Sequence, residues 1–139
     1  MATLLFNTPP HGIDIESPDV RFLELLVLYV NEEYWSAGPG QAALTYEDNE
    51  KRTMLVLTFH LNQFYLEYHT ESEPTSISFR GDTDGCEIIT PFVGGNAWPL
   101  YSSFFVDRNQ TWAVIDEFCR SGNKTNKIDW KWMKDTEYP

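Results

Sequence analysis

The residues able to do chemistry are few: three histidines and two cysteines in 139 residues. His60 and His69 flank an expected hairpin, and Cys86 could approach them across strands. Their spacing matches no zinc pattern, so they read as structural or exposed side chains. Cys86 and Cys119 lack C-x-x-C spacing and read as reduced packing thiols. Asp82-Thr83-Asp84-Gly85 begins like a calcium loop, but the position that needs a bidentate glutamate is Val93. Gly94-Gly95-Asn96 opens no phosphate-cradling helix, and Ser102-Ser103 sits in no G-x-S-x-G elbow. The expectation is a protein with no catalytic residue, no metal and no cofactor. Clustered carboxylates remain. Asp48 and Glu50, Glu71 and Glu73, and Asp82 and Asp84 fall in expected turns, and Tyr65, Tyr68, Trp98 and Tyr101 are expected near them. We take Asp48, Glu50, Glu71, Glu73, Asp82, Asp84, Trp98 and Tyr101 as the partner-binding candidates, since acids steer association and aromatics anchor interfaces.

The elements that must position them follow from pattern. Met1 to Phe6 reads as a short edge strand closed by Pro9-Pro10. Ser17-Pro18-Asp19 has the form of a helix start, with Ser17 as cap, and predicts a helix from Pro18 to Tyr34 ended by Gly38-Pro39-Gly40. Phe22, Leu25, Leu26, Tyr29 and Val30 share helical spacing. Leu23, Val27 and Leu28 widen that face, which predicts burial over more than half the circumference. Residues 41–47, 53–60, 64–70 and 76–80 are rich in Thr, Tyr, Phe, Val and Leu and are parted by short turn clusters, so they predict antiparallel strands. Pro91 to Pro99 reads as irregular loop and Leu100 to Val106 as one strand. Asp107 is placed to cap a second helix with Trp112, Ile115, Phe118 and Cys119 on one face and Gly122 as its stop. A last strand over 127–132 puts Ile128, Trp130 and Trp132 on one side. The expected fold is a single α+β domain over 1–139: an antiparallel meander of about five to seven strands packed against two helices.

Ten Lys and Arg against twenty-one Asp and Glu give a net charge of −11. The excess lies in residues 1–106, with 15 acids and 4 bases, while 107–139 hold 6 of each. Such a body argues against direct contact with nucleic acid or anionic lipid and suits a basic protein partner. The longest apolar run, Leu25 to Val30, has six residues, too few to span a bilayer, and the first residues show no signal-peptide pattern. The expected compartment is the cytoplasm.

Val106-Asp107 before a capped helix, then Ala113, Glu117-Phe118, Gly122, Ile128 and Trp130, resembles the ending of the type 1 immunity-protein family of bacterial polymorphic toxin systems. That family typically closes a short helix in E-F-x-x-x-G and follows it with I-x-W, here Glu117-Phe118-Cys119-Arg120-Ser121-Gly122 and Ile128-Asp129-Trp130. Thr125 or Asn126 stands near the family's usual proline. The resemblance implies a protein encoded beside a secreted toxin, often a nucleic-acid deaminase, that protects the producer by binding the toxin domain. It implies occlusion: acids in the toxin's nucleic-acid groove and an aromatic in the pocket that takes a flipped base. Two other classes stay open: an acidic nucleic-acid mimic that inhibits DNA-binding proteins, and a small-ligand-binding domain or unrecognised enzyme.

Overall fold

In the computed structural model, which describes residues 2–9, 13–38, 40–81, 83 and 85–139, a large antiparallel sheet carries helices on one face. Its strands are β1 (Thr3–Asn7), β2 (Asp14–Glu16), β3 (Gln41–Glu47), β4 (Arg52–His60), β5 (Gln63–Thr70) and β6 (Ser76–Phe79). The excursion after β6 makes two small ribbons, β7 (Ile88–Ile89) with β10 (Leu100–Tyr101) and β8 (Phe92–Val93) with β9 (Asn96–Ala97). β11 (Phe105–Asp107) and β12 (Asp129–Trp132) return to the main sheet. The helices are α1 (Val20–Tyr29), α2 (Glu32–Trp35) and α3 (Arg108–Ser121). The sheet order is β12-β6-β5-β4-β3-β1-β2, with β11 also paired to β5.

β11 and β6 therefore share one edge of β5: Tyr65 faces Phe105, and Glu67 faces Ile77. At the fork the fully buried Ser78 stands in for the missing ladder partner. Its Oγ accepts from the Leu66 N–H at 2.9 Å and donates to the Phe104 carbonyl at 2.6 Å. An apolar residue there would orphan two buried backbone groups.

Alternation along the strands builds a core on each face. Leu44, Leu55, Leu57, Phe64 and Leu66 meet Leu23, Val27, Val114, Ile115 and Phe118 beneath the helices. On the other face Tyr65, Ile77, Leu100, Phe104 and Phe105 form a second cluster, with Trp98, Tyr101 and Tyr138 packed on it. α3 is capped by a full capping box, Asp107 Oδ1 accepting from Gln110 N at 2.7 Å and Gln110 Oε1 from Asp107 N at 3.0 Å.

Several expectations need correction. β1 is not an edge strand, because β2 pairs outside it. Asp19, not Ser17, caps α1, its Oδ1 accepting from Arg21 N at 2.9 Å, while Ser17 N–H still serves the β1–β2 ladder at the Leu4 carbonyl. The single helix over 18–34 is broken: Val30 is extended and Asn31 starts α2. At 100° per residue a continuous helix would carry Trp35 about 120° away from Leu23. The break instead sets Trp35, 2% exposed, against Phe59 and Phe64. The stretch over 91–99 is not wholly irregular but holds the β8–β9 ribbon, and 100–106 is interrupted by a 3-10 turn at Ser102–Phe104. α1 also lies on a different face from the one its spacing suggested. Leu23, Leu26 and Val27 point inward, while Phe22, Leu25 and Tyr29 stay 42, 47 and 74% exposed.

Candidate protein-binding site

Two of the acidic turns meet at one end of the sheet. The β3–β4 turn carries Asp48 and Glu50, and the β5–β6 connection carries Glu71 and Glu73. Glu50 and Glu71 line one surface hollow of about 240 Å³ with Lys51, Arg52, Thr70 and Ser72. Glu73 lines another of about 320 Å³ with Tyr68, Lys51, Asn123 and Lys124. Bases are thus interleaved with acids, and this end is of mixed charge. Asp48 is engaged in its own turn: its Oδ1 accepts from Glu50 N at 2.8 Å and Lys51 N at 2.9 Å, and Tyr46 donates to Oδ2 at 3.3 Å. Those donors hold its carboxyl below the usual aspartate range.

The aromatic candidates lie elsewhere. Trp98 packs edge-on against Tyr65 at 5.3 Å, and Tyr101 against Phe104 at 5.6 Å, both in the second cluster. Tyr65 lies five positions before Thr70, the last residue of β5 ahead of Glu71, or about 17 Å of strand. Among the described residues, the hollows lined by Glu50, Glu71 and Glu73 include neither Trp98 nor Tyr101. Tyr68, one of the aromatics expected there, lines a hollow with Glu73. Asp82 and Asp84 lie outside the described residues.

The histidines are also apart. His69 pairs in register with Met54, six positions along β4 from His60, again about 20 Å. His60 Nδ1 stands 3.7 Å from Glu32 Oε1. His69 Nε2 is 3.0 Å from Glu67 Oε1, and its Nδ1 is 3.1 Å from Thr75 Oγ1. This carboxylate–imidazole–hydroxyl chain fastens the start of β6 to β5. The alternation of Glu67 and His69 on one strand face was visible in the sequence; the approach of Thr75 was not. His69 lines a hollow of about 150 Å³ with Arg52, Met54 and Glu71, whereas Thr75 does not line it. Among the described residues no group of three or more His, Cys, Asp or Glu side chains is placed to hold a metal ion, and no helix is long and apolar enough to cross a membrane.

What sequence reasoning missed is the outer face of α1. Phe22, Leu25 and Tyr29 follow one another at i, i+3 and i+7 and so form a single stripe. Taking 150–250 Å² for a whole aromatic side chain, the uncovered part amounts to roughly 300 Å². Acids crowd the same segment: residues 13–35 hold Asp14, Glu16, Asp19, Glu24, Glu32 and Glu33 against a single base, Arg21. The fold also explains the C-terminal motif. Phe118 is fully buried, and Gly122 ends α3 at φ +70 with its carbonyl accepting from Thr53 Oγ1 at 2.8 Å and the Tyr68 hydroxyl at 2.9 Å. Trp130 Nε1 donates to the Thr125 carbonyl at 2.7 Å. Phe118, Gly122 and Trp130 thus hold the fold. No protein-family model matches the chain, and no curated protein is found similar to it.

Proposed function

We propose that this protein is an immunity protein: it binds one cognate toxin domain, basic and nucleic-acid-acting, and blocks its active site or nucleic-acid groove. The observation that carries this is the apolar stripe Phe22, Leu25 and Tyr29, left open on a segment with six acids and one base. The largest apolar patch on a monomer typically measures about 300–600 Å² and is often functional, and this stripe reaches the lower end of that range. Burying roughly 300 Å² at about 25 cal/mol per Å² would contribute about 7 kcal/mol before the costs of association are met. The excess of acids in residues 13–35 supplies long-range attraction to a basic surface and disfavours acidic ones. The net charge of −11 and the resemblance of residues 106–130 to the immunity family point the same way.

The test is direct. The purified chain is mixed with the C-terminal domain of the secreted protein encoded immediately upstream, and co-elution and toxin activity on nucleic acid are measured. A stoichiometric complex with activity abolished supports the proposal; unchanged activity without co-elution rejects it. A nucleic-acid mimic would instead bind several unrelated basic proteins.

A further inference from the structure

Sheet register brings three aromatic rings and a hydroxyl together beside the end of α3. Tyr68 pairs with Ser76 across β5 and β6, and Ser76 with Trp132 across β6 and β12, so the three stand in one cross-strand row. Trp130, two residues before Trp132, shares its face of β12. The segment between α3 and β12 fixes two of the rings. The Tyr68 hydroxyl donates to the Gly122 carbonyl at 2.9 Å, and Trp130 Nε1 to the Thr125 carbonyl at 2.7 Å.

Lys124 comes from that same segment and places its ammonium among the rings. Nζ lies 4.7 Å from the centre of the Trp132 ring and 5.9 Å from those of Tyr68 and Trp130. It donates to Ser76 Oγ at 2.9 Å, and Ser76 is buried. Among the described residues it forms no ion pair with a carboxylate, although the chain carries a net charge of −11. A primary ammonium is strongly hydrated and has three donors, and here a single protein oxygen serves it. Aromatic faces grouped around one cation are the arrangement that recognises methylated ammonium groups. One hydroxyl acceptor matches such a cation when it keeps a single N–H.

The place is open to solvent. Lys124 and Tyr68 line the hollow of about 320 Å³ that Glu73 and Lys51 also line, and Trp132 is 37% exposed. Glu73 attracts a cation there, while the opposing charge, Lys51, is turned onto Asn123 Oδ1. Lys124 lies outside every helix and strand, so its side chain can leave the rings with no ladder bond broken.

We infer that Tyr68, Ser76, Trp130 and Trp132 form a binding site for a methylated ammonium group that keeps one N–H, with Lys124 as its resident competitor. The N–H goes to Ser76 Oγ and the methyl groups to the rings. A quaternary ammonium meets the rings but leaves Ser76 without its donor, and a primary one gains nothing over Lys124. Because Lys124 is tethered, it competes at an effective concentration on the order of millimolar, which weakens the ligand in the wild type. This site is independent of the toxin-binding reading.

The experiment titrates the full chain and its Lys124→Ala, Lys124→Ser and Lys124→Ala/Trp132→Ala variants at neutral pH. The probes are trimethylammonium, tetramethylammonium and a dimethyllysine peptide, and the readout is the indole N–H NMR signals, with melting temperature as the check on folding. Trimethylammonium is expected to bind Lys124→Ala at least about tenfold more tightly than wild type, and tetramethylammonium several-fold more weakly than trimethylammonium. Adding Trp132→Ala is expected to remove the gain. Tighter binding of the peptide than of trimethylammonium supports the site and identifies its ligand as a methylated lysine side chain. Folded Lys124 variants whose indole signals do not move overturn the inference, and tetramethylammonium bound as tightly as trimethylammonium overturns the one-donor ligand class. Should neither Lys124 variant fold, the wild type decides. Indole shifts by about 100 mM trimethylammonium, well above the tethered competitor, support the site, and their absence overturns it.

Discussion

Replacing Gly122 by alanine tests the part of the fold that carries the family resemblance. Gly122 sits at φ +70, where an L side chain costs about 1–2 kcal/mol. A Cβ there would also lie 2.6 Å from Tyr46 Cγ and 2.7 Å from Cε1, inside van der Waals contact. Tyr46 is 8% exposed, with its ring against Phe118 and its hydroxyl on Asp48, so it has little room to yield. Overpacking of this kind costs about 1–3 kcal/mol. Alanine recovers about 0.4–1 kcal/mol by restricting the unfolded chain. The net expectation is a loss of about 2–4 kcal/mol with the urea m-value unchanged. Gly94→Ala is the control, since φ is also positive there (+59) but nothing lies within 4 Å of the added carbon. It should cost about 1 kcal/mol or less. Equal losses at the two sites, or a Gly122→Ala protein within 1 kcal/mol of wild type, would refute the steric account.

Ser78→Ala should cost about 2–5 kcal/mol in chemical denaturation, because it leaves the Leu66 N–H and the Phe104 carbonyl without their partner in a dry site. Glu32→Lys with Glu33→Lys should leave the melting temperature near wild type while slowing association with the toxin domain, and the wild-type on-rate should fall with added salt. Alkylation of the native protein near pH 8 should reach Cys86 before Cys119. Burial, with Asp116 nearby, pushes the Cys119 thiol up to about 12, whereas at Cys86 hydrogen bonds from Ser103 and Ser102 outweigh the burial that would raise it and bring it below the ordinary range. Asp48 is lowered in the fold, so its stabilisation is complete above the ordinary aspartate pKa and fades as pH falls through the lower folded value. Asp48→Asn should therefore flatten the acid limb of the stability curve.

What the sequence made legible was local. Asp107 caps α3, Gly122 ends it, and residues 41–70 are rich in Thr, Tyr, Phe, Val and Leu between short turn clusters, so the α+β plan is readable from short stretches. What stayed hidden depends on distant residues. Eight of the ten α1 residues are apolar, and periodicity cannot choose among faces when nearly all are hydrophobic. The choice is made by Trp35 entering the core and by Arg108 gripping the Val27 carbonyl. The fork in β5 depends on Ser78, one small polar residue with no pattern around it. For the site, the acids were visible but their neighbours were not: Lys124 arrives at Glu73 from the far end of the chain, and Trp98 leaves for Tyr65.

If the chain is an immunity protein as proposed, its partner docks on the exposed stripe of α1, Phe22, Leu25 and Tyr29. The most direct measurement is amide hydrogen exchange on the chain alone and in complex with the upstream-encoded domain. Slowed exchange concentrated in residues 20–35, with little change over 47–52 and 70–75, is the predicted result. Protection confined to the acidic turns, or no protection with the domain in excess, would contradict it.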